Sequence, residues 1–153
     1  MRLAALLTIV LAVAPCAPAP AGTADNVRTA RRYFLENMAG GRFEHTDAMF
    51  APDFIAHGAS ANYTLAQDLD STSSWRIAMP DLKVTVERTV ADKDMVAVHW
   101  RASGVNTVAL GELPGKGARL GIEGMTMFRF AAGRIVEEWS VVDVATLRKD
   151  IGQ

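Results

Sequence analysis

Apolar residues recur at helical spacing through the first half of the chain and at every second position through the second half, so helices are predicted to precede strands. Asp25 is placed as an N-cap, and Val27, Ala30, Phe34 and Met38 follow on one face until Gly40-Gly41 stops the pattern. Residues 43–50 predict a short helical piece ended by Pro52, and Asp53-Phe54-Ile55-Ala56-His57-Gly58 leads into a loop. Residues 64–79 predict a longer helix with Leu65, Leu69 and Trp75 on its buried side, broken at Pro80.

After Pro80 the period becomes two. Leu82, Val84, Val86 and Val90 alternate with polar residues, as in a strand with one buried face. Asp92-Lys93-Asp94 turns the chain into a strand over residues 95–105 carrying Val96, Val98 and Trp100 in one phase. A Gly- and Pro-containing connection over residues 111–117 leads to a strand over 119–130. Ala131-Ala132-Gly133 reads as a three-residue hairpin loop, and a last strand over 134–142 ends at Asp143 before a short helix. Helices followed by an antiparallel meander make an α+β chain.

Composition changes this picture at the N-terminus. Arg2 precedes an unbroken apolar run over residues 3–14 and then a Pro- and Ala-rich stretch, the three parts of a secretory signal peptide. The run is shorter than the roughly 20 apolar residues that span a bilayer. Residues 1–21 are therefore read as a leader, with cleavage after Ala21 or as late as Ala24, and residues 25–153 as one exported domain, periplasmic or secreted. Cys16, the only cysteine, falls in the leader, so the mature protein has no disulfide and rests on its core. The whole chain holds 16 basic and 17 acidic residues; removal of Arg2 leaves 15 against 17, a formal charge of -2. No basic stripe points to nucleic acid, and nothing apolar enough for a membrane remains after cleavage.

Three segments resemble the SnoaL-like polyketide cyclases, within the superfamily that shares the nuclear transport factor 2-like (cystatin-like) fold. Met79-Pro80-Asp81-Leu82 is similar to that family's entry to its first long strand, and Leu113-Pro114-Gly115-Lys116-Gly117 to its proline-rich connection. Met127-Phe128-Arg129-Phe130, then Gly133-Arg134-Ile135-Val136-Glu137-Glu138-Trp139 and Asp143, resembles its closing hairpin. The resemblance implies a cone-shaped, curved antiparallel sheet packed on the N-terminal helices, a pocket for a small hydrophobic molecule, no cofactor, and a homodimer through the outer face of the sheet. It also implies that Asp143 is the general acid/base of a cyclisation and that His57 faces the pocket. Where many members read Gly-Thr-His, this chain reads Gly104-Val105-Asn106, so a pocket histidine is absent.

A catalytic Asp143 would need a carboxyl pKa raised by apolar surroundings, which Trp139 and Val141 in its strand phase would supply, with His57 and Asn106 as donors to a developing oxyanion. The same aspartate also precedes Val144-Ala145-Thr146-Leu147 as an N-cap, which pushes the pKa the other way. Phe54, Trp75, Trp100, Met125, Met127 and Trp139 are candidate pocket lining, and equally candidate core. Glu137 shares a phase with Asp143 but lies roughly 20 Å from it along a strand, so the two form no dyad; pairing with Arg129 is expected, and Glu138 faces the other side. His99 is out of phase with Trp100 and faces away, and His45 belongs to the surface. The three histidines lack metal-ligand spacing, and no metal site is predicted. Cofactor-free acid/base chemistry, binding without chemistry, and epoxide opening by carboxylates flanking Arg101 or Arg129 remain open.

Overall fold

A computed structural model describes residues 22–150 and Gly152. The leader read at residues 1–21 lies outside the described residues.

Helix α1 (Thr23–Arg32) starts at an extended Gly22, with Asp25 inside its first turn and ion-paired to Arg28 instead of capping it. It continues as a π-helical segment, Tyr33–Met38. The wider turn brings adjacent residues to the same side, so Tyr33 and Phe34, then Asn37 and Met38, are all buried. Helix α2 (Thr46–Met49) is one turn long.

What reads as a helix stop and a loop at Pro52 is a strand, β1 (Phe50–His57), paired antiparallel with a short β2 (Asn62–Thr64). Pro52 has no N–H to give a ladder, and β1 tolerates it because its pairing with the last strand is irregular between Phe50 and Ile55. Helix α3 (Leu65–Ala78) opens with a capping box. Gln67 N–H donates to the Thr64 hydroxyl, and Thr64 N–H donates to the Gln67 side chain at 2.9 Å.

Strands β3 (Lys83–Asp92), β4 (Met95–Asn106), β5 (Ala118–Ala131) and β6 (Arg134–Val142) form the antiparallel meander the alternation predicts, and α4 (Val144–Asp150) follows. The sheet order is β2-β1-β6-β5-β4-β3, and β1 runs parallel to β6, so the sheet is mixed. The β5–β6 loop has two residues, not three: Ala131 pairs with Arg134, and Ala132 (φ 48°) and Gly133 (φ 78°) both take the left-handed region, as a type I′ turn requires.

The helices cover one face of this curved sheet, called inner below. Inward positions of β4 and β5, including Val96, Val98, Trp100, Leu120, Ile122 and Phe128, are buried against Phe34 and Met38. Tyr33, Phe34, Trp100 and Phe128 meet edge-on or tilted, with ring centroids 5.1–6.2 Å apart. Among the described residues no helix is long and apolar enough to cross a membrane.

One irregularity sets the position of the site. Phe130 pairs with Ile135 and Arg129 with Glu137, so Val136 is an extra residue in β6. A one-residue bulge reverses the alternation beyond it. Ile135 points inward, and after the bulge Glu138 does too, while Glu137 and Trp139 lie on the outer face.

Candidate active site

The inner face holds a chamber of about 190 Å³ between α3, the π segment and strands β4–β6. It shares Asp68, Ser71, Glu138 and Ser140 with a wider vestibule of about 460 Å³ whose rim includes His57, Tyr63 and Asp70. The chamber's apolar wall is Phe34, Met38, Trp75, Trp100 and Val142.

Two carboxyl groups stand in this wall. Glu138, 5% exposed, projects inward from β6, and Asp68 comes from the face of α3 that also carries Thr72 and Trp75. Burial, and then the charge of Asp68, push the Glu138 carboxyl up to about 8. Burial likewise raises Asp68 to about 6, against a smaller lowering effect of the Tyr33 hydroxyl. One oxygen of each, Glu138 Oε2 and Asp68 Oδ2, is buried without a hydrogen-bond partner among the described residues. The other oxygen of Glu138 accepts from Ser140 Oγ at 2.6 Å. Tyr33 Oη lies 2.8 Å from Thr72 Oγ1, and burial followed by the charges of Glu138 and Asp68 holds its phenol well above the ordinary range, so it stays neutral. Like charges on neighbouring buried carboxyls resist ionising together, so near neutral pH the pair favours a single negative charge, with the more deeply buried Glu138 the stronger proton holder.

Asp143 lies elsewhere. It is exposed at the start of α4, where it accepts from Thr146 N at 3.1 Å and Thr146 Oγ1 at 2.6 Å, and these bonds hold its carboxyl below the usual range. The raised pKa that acid/base work would require there is absent, because a capping carboxylate is stabilised as the anion. His57 also leaves the chamber. Its ring sits on the outer face, stacked on Trp139 at 4.5 Å, with Nε2 3.2 Å from Glu137 Oε2. Glu137 takes its second partner, Arg129, as expected.

The predicted lining divides by strand parity. Trp75 and Trp100 line the chamber. Phe54 is core, packed edge-on against Phe50. Asn106 is fully buried but occupied: Nδ2 donates to Val108 O at 2.8 Å and Oδ1 accepts from Lys116 N at 3.3 Å, tying down the β4–β5 connection. Met125 and Met127 are 57% and 41% exposed on the outer face, and Trp139 shares that face. His99 is outer too, bonded to Glu123 at 2.6 Å. Arg101 pairs with Glu123 and Arg129 with Glu137, both outside the chamber, which closes the carboxylate-arginine-carboxylate reading.

A larger hollow of about 680 Å³ lies on the outer face between Val90, Met125 and Val141. It is a shallow, largely exposed trough whose carboxyl groups, Glu123 and Asp143, have lowered pKa values. The chemistry-bearing groups are therefore in the smaller, inner chamber.

Tyr33, Asp68, Thr72, Thr126, Glu138 and Ser140 escaped the sequence reading. Two of them carried a signal. Thr126 interrupts an inward stripe of Leu120, Ile122, Phe128 and Phe130, and Asp68 falls on the helix face of Leu65, Thr72 and Trp75. A polar residue on an apolar face is the informative one.

Known proteins agree with this architecture. AclR of Streptomyces galilaeus, a candidate hydroxylase, superposes with a TM-score of 0.76 at 18% identity, over 86% of this chain and 98% of its own. IdmH of Streptomyces antibioticus, a candidate polyketide cyclase, gives 0.72 at 23% identity, over 84% and 99%. A SnoaL-like polyketide cyclase of Agrobacterium tumefaciens gives 0.69 at 20%, over 86% and 100%. Identities this low speak for the fold alone. No curated protein matches the chain. The sequence profile of the SnoaL-like polyketide cyclases, however, matches residues 28–151, which is nearly the whole described chain. This protein belongs to the SnoaL-like polyketide cyclase family.

Proposed function

We propose that the chamber and vestibule together bind a small, largely apolar carbonyl compound, and that Asp68 and Glu138 move protons on it without a cofactor. The observation that carries this is a pair of inward carboxyls in one apolar wall, each with a buried oxygen that has no hydrogen-bond partner among the described residues. Such an oxygen takes its hydrogen bond from whatever fills the cavity.

The assignment of roles follows from the split in affinity for protons. Asp68, the weaker proton holder, takes a proton from the carbon next to the carbonyl as the Glu138 O–H gives its proton to the carbonyl oxygen. The product is an enol. In an aldol closure the enol carbon bonds to a second carbonyl carbon, Asp68 passes its proton to that carbonyl's oxygen, and the enol O–H proton returns to Glu138. In an isomerisation Asp68 returns its proton to a different carbon of the conjugated enol while the enol O–H proton returns to Glu138, which re-forms the carbonyl. Either way both carboxyls finish as they began.

The test uses 2-tetralone, an apolar ketone with acidic α-hydrogens, in D2O. Wild type is expected to accelerate α-hydrogen exchange as read by proton NMR, and Asp68→Asn to slow it at least about 10²-fold while the ketone still binds. Equal exchange with and without protein, or full exchange in Asp68→Asn, would overturn proton transfer. Binding with no acceleration would support the second reading, a receptor without chemistry. That reading is favoured by Asn106, whose amide is committed to the β4–β5 connection.

Two further parts of the proposal concern the setting of this site. The chain is exported after cleavage near Ala21, on the strength of its tripartite leader. It pairs with a second copy through the outer face, where Val90, Met125 and Val141 expose an apolar surface.

A further inference from the structure

We propose that Trp100, Thr126 and Ser140 form a one-way hydrogen-bond chain that fixes the proton of neutral Glu138 on Oε2, facing the chamber, and so act as positioning residues for the acid. This rests on the reading of Glu138 as the acid of the proposed reaction.

The chain crosses three strands. Trp100 Nε1 on β4 donates to Thr126 Oγ1 on β5 at 3.1 Å; Thr126 Oγ1 lies 2.8 Å from Ser140 Oγ on β6; Ser140 Oγ donates to Glu138 Oε1 at 2.6 Å. Thr126 and Ser140 are register partners, and Glu138 is two residues from Ser140 on the same face. Trp100 is paired with Gly124, and its indole lies over that glycine to reach Thr126: a Cβ on Gly124 would stand 2.4 Å from the ring.

Direction follows from the indole, which can donate and cannot accept. Thr126 receives that bond, and its own proton has Ser140 Oγ as acceptor. Ser140 must then give its single proton to Glu138 Oε1. A proton on Oε1 would meet the Ser140 proton head-on, so a neutral Glu138 carries its hydrogen on Oε2. Reversing the chain would aim two donors at Thr126 Oγ1 and leave the Thr126 proton without a bonded acceptor among the described residues. Oε2 is the buried oxygen with no protein partner, so the carboxyl presents an O–H to the guest.

The titratable groups facing Glu138 are Asp68 from α3 and Tyr33 from the π segment. Its strand neighbours, Ala56 of β1 and Phe128 of β5, do not titrate. The vestibule adds Asp70, while the His57 ring, from the strand at its rim, lies on the outer face against Trp139 and Glu137. Donation to Oε1 favours the carboxylate, so each missing link should hold the proton on Glu138 to higher pH.

The experiment is a carbon-13 NMR titration of the Glu138 carboxyl in protein labelled at glutamate Cδ, with the signal assigned through Glu138→Gln. Ser140→Ala is expected to raise the midpoint by about one unit, the size of a hydrogen bond to a charged group. Thr126→Val and Trp100→Phe, which do not touch Glu138, should raise it by smaller steps, and Thr126→Ser should restore it. A wild-type midpoint in Thr126→Val and in Trp100→Phe would overturn the chain. A wild-type protein titrating near the ordinary 4.5 of glutamate would remove the acid itself, whereas the direction of the variants' shifts would still decide the chain.

Discussion

Replacing Glu138 by glutamine tests the buried carboxyl directly. The side chain keeps its shape; its carbonyl oxygen can accept from Ser140, and its amide group takes the place of the protonated Oε2. What disappears is the titration. A carboxyl whose folded pKa is raised is worth full stability below its unfolded value, and that stability is lost as pH climbs through the folded value. For Glu138 the window runs from the ordinary 4.5 to about 8. Unfolding lets the group ionise, so relative to pH 4 this carboxyl alone should cost wild type about 3 kcal/mol by pH 7 and approach ~5 kcal/mol above pH 8, at roughly 1.36 kcal/mol per unit. Asp68 adds a window from 3.8 to about 6 that the variant shares. Both proteins should therefore fall up to about pH 6, wild type more steeply from 4.5 onward, and above pH 6 wild type continues to fall while Glu138→Gln levels off. Urea unfolding followed by tryptophan fluorescence from pH 4.5 to 9 reads this, with unchanged m-values as the control. Parallel curves between pH 6 and 8 would mean that Glu138 is already ionised in the native protein, and the acid would be lost with it.

Gly124→Ala should cost about 1–3 kcal/mol by overpacking, because its Cβ meets the Trp100 ring, and should shift tryptophan emission as the indole leaves Thr126; an unchanged spectrum would refute the contact. Asp143→Asn retains a capping side chain and should leave both Tm and 2-tetralone exchange near wild type, whereas Asp143→Ala should lower Tm only; loss of exchange in the Asn variant would return the catalytic role to Asp143. Val141→Glu combined with Met125→Glu should convert a dimer of the mature chain to monomer in sedimentation velocity, and a wild-type protein that sediments as a monomer would refute pairing through the outer face.

The elements were legible wherever one local rule decided them. Period-two alternation marked four strands, Pro80 marked the end of α3, and the helical spacing of Ala30, Phe34 and Met38 marked the first helix. Where two rules competed, the sequence misled. Pro52 reads as a stop, yet β1 accommodates it where its ladder to β6 is interrupted. The larger error has one cause. Counting by twos from Asp143 puts Trp139 and Val141 inside, and the last residues of β6 keep that phase, but the inside is the other set, Glu138, Ser140 and Val142. Only the pairing with β5 reveals the extra residue at Val136 that brings Glu138 in beside Ile135's face. A bulge is set by tertiary pairing and leaves no residue signature in an Arg-Ile-Val-Glu-Glu run. The outward Met125 and Met127 were also readable by parity from Thr126 and Phe128, had aromatic and sulfur-bearing residues not been favoured for a pocket over their phase.

The choice between an enzyme and a receptor turns on why this wall holds carboxyls at all. A hydrogen-bonding wall for a carbonyl guest can be made from asparagine, glutamine or a hydroxyl, none of which carries an ionisation penalty. A purely structural role is better met by apolar residues, since replacing buried ionisable groups with packed hydrophobic ones is often neutral or stabilising. At neutral pH Glu138 alone opposes folding by about 3 kcal/mol relative to acid, a large part of the 5–15 kcal/mol that holds a typical domain together, in a chain whose single cysteine can close no internal disulfide to offset it. What a titratable pair offers, and an amide pair cannot, is one group that releases a proton near neutrality next to one that accepts it. The separation between about 6 and about 8 straddles that range. Binding alone would need neither value, so the cost borne by the fold argues for proton transfer.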